Sequence, residues 1–67
     1  MTIRYDKLWK LVYENQMNRQ ALARAAEISA NTVTKLGKNE IVSLEVLLRI
    51  CKVFHCDIGD IMEVIED

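Results

Sequence analysis

A chain of 67 residues has room for one domain, residues 1–67, and at this size only roughly 60% of the unfolded surface is buried, so the margin of stability is thin and dimerisation would add to it. A composition 51% hydrophobic and 28% charged excludes a disordered tail, and no apolar run approaches the ~18–20 residues of a membrane span. Charges interrupt the opening MTIRYDKLWK, which excludes a secretion signal there and makes the cytoplasm the expected location.

The net charge of −1 hides an asymmetry. Residues 1–39 carry seven Lys or Arg against three acids, a net +4, whereas residues 40–67 carry two against seven, a net −5. A basic half and an acidic half would orient such a domain on a phosphate backbone. Chance differences between solvated faces are the plainer alternative.

Proline is absent and there are two glycines, Gly37 and Gly59. No sustained period-2 alternation interrupts the helical spacing, so the expected class is all-α. The first helix runs from about Tyr5 to Asn15, with Leu8, Leu11, Val12 and Asn15 on one face and Trp9 and Tyr13 beside it. Asp6 near its start suits the helix dipole. Ile3 precedes it and is free to extend along a neighbouring element or a second subunit.

Asn18 is a suitable N-cap for a short second helix, in which Leu22, Ala23 and Ala26 face inward. Ser29 caps a third, from Ala30 to about Lys38, with Val33 and Leu36 buried and Ala30, Asn31, Thr34 and Lys35 outward. Asn39 tolerates the left-handed conformation that ends a helix. Ser43 caps a fourth, Leu44 to Phe54, whose sequence LEVLLRICKVF is apolar almost all round and reads as centrally buried. A fifth, about Ile58 to Ile65 after an Asp57 cap, places Ile58, Ile61, Met62 and Ile65 in one stripe. That stripe either closes the core or forms a dimer surface.

The stretch CKVFHC brings Cys51, His55 and Cys56 together, but structural zinc needs four ligands, and the chain has one His and no second cysteine pair. Cys51 reads as a small buried hydrophobe, and no metal or cofactor is expected. Trp9, Tyr5 and Tyr13 read as core or rim packing rather than a base-stacking platform.

Residues Asn18 to Asn39 carry the functional signal. Two short helices at this spacing, small at their contact (Ala23, Ala26), anchored by Ile28 just after the turn and polar on the outer face, form a helix-turn-helix. Leu22, Ile28, Val33 and Leu36 supply the motif's own core. The run LARAAEISANTVTKL, with VSLEVLLRICKVFHCDIGDIME after it, resembles the Cro/C1-type helix-turn-helix family (XRE family) over nearly the whole chain. The similarity is greatest to its short stand-alone subgroup, including small regulators of some glycopeptide (vancomycin) resistance operons.

The resemblance implies a compact five-helix bundle that binds operator DNA, usually as a dimer on a palindrome. It implies that Ala30, Asn31, Thr34 and Lys35 read base edges, Asn31 pairing with adenine and Lys35 with guanine, each worth about 1–3 kcal/mol of discrimination. It implies that Asn18, Arg19 and Lys38 grip phosphates, with a hydroxyl contact from Thr32; such contacts position the protein without choosing the sequence. The chain departs from the family pattern in having Arg19 in place of a frequent Gln, Glu27 in place of a turn Gly, and Gly37-Lys38-Asn39 in place of Glu-Asn-Gly. Glu27 is expected to need positive φ and to point away from the phosphates.

The expected function is a sequence-specific DNA-binding transcriptional regulator with double-stranded DNA as partner, a homodimer, and no membrane or small-molecule substrate. The alternative is a protein-interaction module of the same fold, such as an antitoxin. An enzyme is not expected: the single His has no nucleophile partner in the motif, and no glycine-rich phosphate loop exists.

Overall fold

The computed structural model describes residues 1–66. The elements run β1 (Thr2–Arg4), α1 (Asp6–Glu14), α2 (Arg19–Ala26), α3 (Ala30–Gly37), α4 (Leu44–Phe54), a single 3-10 turn (Ile58–Asp60) and β2 (Glu63–Ile65). Among the described residues, the expected five-helix, all-α bundle is thus corrected to four helices and a small two-stranded sheet.

The difference lies in the last ten residues. Ile58, Ile61, Met62 and Ile65 have helical spacing, but Gly59 supports a helix poorly, and the β-branched Ile61, Val64 and Ile65 beyond it favour extended backbone. The chain makes one 3-10 turn and then extends, with β2 pairing antiparallel to β1 in the register Thr2↔Ile65, Ile3↔Val64 and Arg4↔Glu63. Ile3 therefore finds its neighbour within its own chain. Arg4 Nε lies 2.9 Å from Glu63 Oε1 and ties the last residue of β1 to the first of β2. Ile61 is wholly buried and Ile58 and Met62 pack around the core, so most of the apolar stripe closes the fold rather than standing free.

Three of the four α-helices start on the side-chain caps read from the sequence. Asn18 Oδ1 accepts from Ala21 N at 2.8 Å, Ser29 Oγ from Thr32 N at 3.1 Å and Ser43 Oγ from Val46 N at 3.2 Å. Helix α1 instead begins behind Tyr5, which has no side-chain cap and serves as a core residue. The Tyr5 backbone N–H donates to Asn39 Oδ1 at 3.1 Å and its hydroxyl donates to the Glu40 carbonyl at 2.8 Å, tying the start of α1 to the α3–α4 loop.

All four helices end in the same way. Gln16, Glu27, Asn39 and His55 have φ of 56°, 56°, 58° and 53°, and both glycines lie outside that region. Each is followed by a residue whose N–H reaches five residues back: Met17 to Val12, Ile28 to Ala23, Glu40 to Lys35 and Cys56 to Cys51, at 2.9–3.1 Å. This is the Schellman closure, and Met17, Ile28 and Cys56 add its hydrophobic contact by packing on the core. The left-handed state expected at Glu27 and Asn39 is therefore present, and it recurs at two places where it was not expected.

The core is Tyr5, Leu8, Val12, Leu22, Ala26, Leu36, Leu47, Ile50, Cys51 and Ile61. Helix α4 crosses it but is not buried all round: Leu44 and Leu48, one turn apart, are 60% and 55% exposed. Its other face, Leu47, Ile50 and Cys51, supports α2 and the 3-10 turn. Among the described residues no helix is long and apolar enough to cross a membrane.

Candidate nucleic-acid interface

Helices α2 and α3 are presented by the core beneath them. Leu22 and Ala26 hold the underside of α2, Val33 and Leu36 that of α3, and Ile28 packs in after the turn. This leaves the polar sides of both helices facing outward. The turn is fixed by Glu27 in the left-handed region and by Arg49 of α4, whose Nη1 donates to the Glu27 carbonyl at 2.7 Å. Arg49 is itself held by Glu45 at 3.0 Å. Glu27 lines the groove formed with Ala25, Arg49, Lys52 and Val53, on the α4 side of the motif.

Ala30, Asn31, Thr34 and Lys35 are all exposed and share the face of α3 opposite Val33 and Leu36. Thr34 Oγ1 donates to the Ala30 carbonyl at 3.1 Å, so its hydroxyl proton is committed and it offers an acceptor oxygen and a methyl group. Ala30 and Thr34 join Arg19, Gln20, Ala23, Arg24 and Val33 around a groove of about 460 Å3 between the two helices. Gln20 and Arg24 are not among the residues the sequence singles out, although their i, i+4 spacing opposite Leu22 and Ala26 places them on the same outward side.

The candidate phosphate contacts divide into two groups. Asn18 spends its Oδ1 on capping α2, which leaves the side-chain NH2 to donate outward. Arg19 is exposed, with its guanidinium carbon 5.0 Å from the centroid of the Trp9 ring. The same guanidinium lies against Gly37, and Lys38 comes next as the exposed last residue of the α3 cap, so the α2 start and the α3 end meet at one basic corner. Thr32 stands apart. It is half-buried on the other side of α3, and its hydroxyl shares a 2.9 Å hydrogen bond with Ser29.

Between Asn18 and Asn39 the cations are Arg19, Arg24, Lys35 and Lys38, against Glu27 alone. Among the described residues none of these four cations has a carboxylate within ion-pair distance, whereas Arg4 and Arg49 of the remaining fold are paired. Two helices of an outward-facing pair, with free cations at their edges and uncharged polar groups between, have the layout of a DNA-reading motif. A family model described as a Cro/C1-type HTH DNA-binding domain matches residues 7–67.

The chain belongs to the Cro/C1-type helix-turn-helix family.

A solved structure, that of the transcriptional regulator VanUg, is similar at 47% sequence identity with a TM-score of 0.90, over 98% of this chain and 88% of that one. Among curated proteins, none matches the chain. In this Cro/C1-type domain the two thiols of CKVFHC are free: Cys51 is buried, as expected of a small hydrophobe, and Cys56 is half-buried. Burial pushes both thiols above their ordinary pKa, and the neighbouring Asp57 and Asp60 add to the shift.

Proposed function

We propose that this domain is a transcriptional regulator that places α3 in the major groove of operator DNA as a homodimer on a palindromic site. The observation that carries the proposal is the outward face of α3. Asn31 and Lys35 project from it one turn apart with no carboxylate partner among the described residues, above a core that fixes the helix from below. Asn31 offers an amide that matches the two edge groups of adenine, Lys35 a donor for guanine, and Ala30 and Thr34 methyl groups for thymine. Asn18, Arg19 and Lys38 gather at one corner beside this face and suit a neighbouring phosphate, with Gln20 and Arg24 added from the α2 groove. Thr32 contributes a phosphate contact only by giving up its bond to Ser29. Two copies double both the base contacts and the released counterions, which a domain this small needs for useful affinity.

Selection from a randomised duplex pool tests the proposal, with Asn31→Ala and Lys35→Ala run in parallel. The expected result is an enriched palindrome whose information falls at separate base positions in the two variants. A pool that stays random at low salt overturns the DNA reading and leaves the protein-interaction module of the same fold.

A further inference from the structure

Among the described residues, Arg19 is the cation of the motif that is held from two sides. Its guanidinium sits over the indole of Trp9, on α1, at 5.0 Å, within the range of a cation–π contact. It also lies so close to Gly37, on α3, that a Cβ there would come within 2.8 Å of Nη2 and 2.9 Å of Nη1. Three helices thus converge on one side chain. Gly37 has an ordinary helical φ, so its missing side chain is not required by the backbone. Glycine costs up to ~1 kcal/mol against alanine in a helix, and what the structure obtains at this position is room for Arg19.

We propose that Trp9 and Gly37 are positioning residues for DNA binding, holding Arg19 at the corner where the start of α2 meets the end of α3. The inference rests on the DNA-binding reading of that face. A free arginine loses rotamer freedom when it grips a phosphate, and one already stacked loses less. Trp9 is half-buried and packs on the core beside Leu8, so its ring is fixed before DNA arrives. Arg19 remains exposed, and its N–H groups stay available for a bidentate contact. Trp9 thus acts through Arg19.

The test is a set of thermodynamic cycles. Binding to a labelled mixed-sequence duplex is followed by anisotropy across a salt series for wild type, Arg19→Ala, Trp9→Leu and Gly37→Ala, and for the last two in the Arg19→Ala background. Arg19→Ala is expected to reduce the magnitude of the log K against log salt slope by about 0.9 for each phosphate lost. Trp9→Leu and Gly37→Ala are each expected to weaken binding about two- to fivefold, from the ordering cost that a released Arg19 side chain meets on gripping a phosphate, and to have no further effect once Arg19 is absent. Gly37→Ala keeps the experiment decisive if Trp9→Leu fails to fold, because alanine is the better helix former. In the free protein, the ring-current shift of the Arg19 Hδ protons should disappear in both variants. Equal losses with and without Arg19, or no loss at all, overturn the inference while wild-type binding persists. Failure of the wild type to bind at low salt is a separate outcome, which overturns the DNA reading and this inference together.

Discussion

Replacing Glu27 with glycine should stabilise the domain. Glu27 sits at φ 56°, ψ 47°, where a Cβ crowds the backbone at a cost of about 1–2 kcal/mol. Glycine removes that cost but adds unfolded-chain entropy worth about 0.5–1 kcal/mol, leaving a net gain between zero and about 1.5 kcal/mol, centred on ~0.7 kcal/mol. For a domain of this size the central gain corresponds to a rise of about 3–6 °C in Tm, read by circular dichroism. The 2.7 Å bond from Arg49 Nη1 goes to the backbone carbonyl and survives the substitution. Glu27→Ala is the control, because it removes the same carboxylate yet keeps the Cβ, and it should show little of the gain. A Glu27→Gly protein that melts below wild type would rule out relieved backbone strain as the larger effect. So would an equal gain from Glu27→Ala, which would assign the effect to charge rather than to backbone strain.

Tyr5→Phe leaves the Glu40 carbonyl without its 2.8 Å donor and should cost about 1–3 kcal/mol by denaturant titration. Burial raises the Tyr5 pKa, with a smaller lowering from a hydrogen bond to the Val42 backbone. The phenol's stabilising contribution is therefore complete below its ordinary pKa of 10.0 and is lost as pH rises through the higher folded value, so alkaline unfolding should be shallower in Tyr5→Phe. Burial likewise keeps Cys51 and Cys56 protonated, so iodoacetamide at about pH 8 should modify the native protein slowly, Cys51 more slowly than Cys56, and both much faster in urea when followed by mass spectrometry. Ser29→Ala removes the cap of α3 and should lower stability by about 1 kcal/mol in a thermal melt.

The caps and the outer face of α3 were legible because they depend on local chemistry. Asn18, Ser29 and Ser43 each precede an apolar helical period, and Asn39 comes after one. The bounds of α4 were legible for the same reason. The sheet was not, because strands of three residues are too short to show alternation, and the pairing of Ile3 with Val64 spans almost the whole chain. Helical spacing at Ile58, Ile61, Met62 and Ile65 concealed a 3-10 turn and an extended strand. The exposure of Leu44 and Leu48 was hidden because composition alone does not say which side of α4 the neighbours cover. At the candidate interface, the side chains on α3 were implied by the motif. The Trp9–Arg19–Gly37 contact was not, since it joins three helices and each residue has an ordinary local role.

Amide chemical-shift mapping shows whether the α2–α3 face meets DNA. A labelled sample of the wild-type domain is titrated with a duplex at low salt. Perturbations are expected to concentrate at Asn18 to Gln20, Arg24 and Ser29 to Lys38, with the sheet and the Leu44–Leu48 face unmoved. An unchanged spectrum, or shifts centred on α4 and the sheet, would contradict DNA binding through that face.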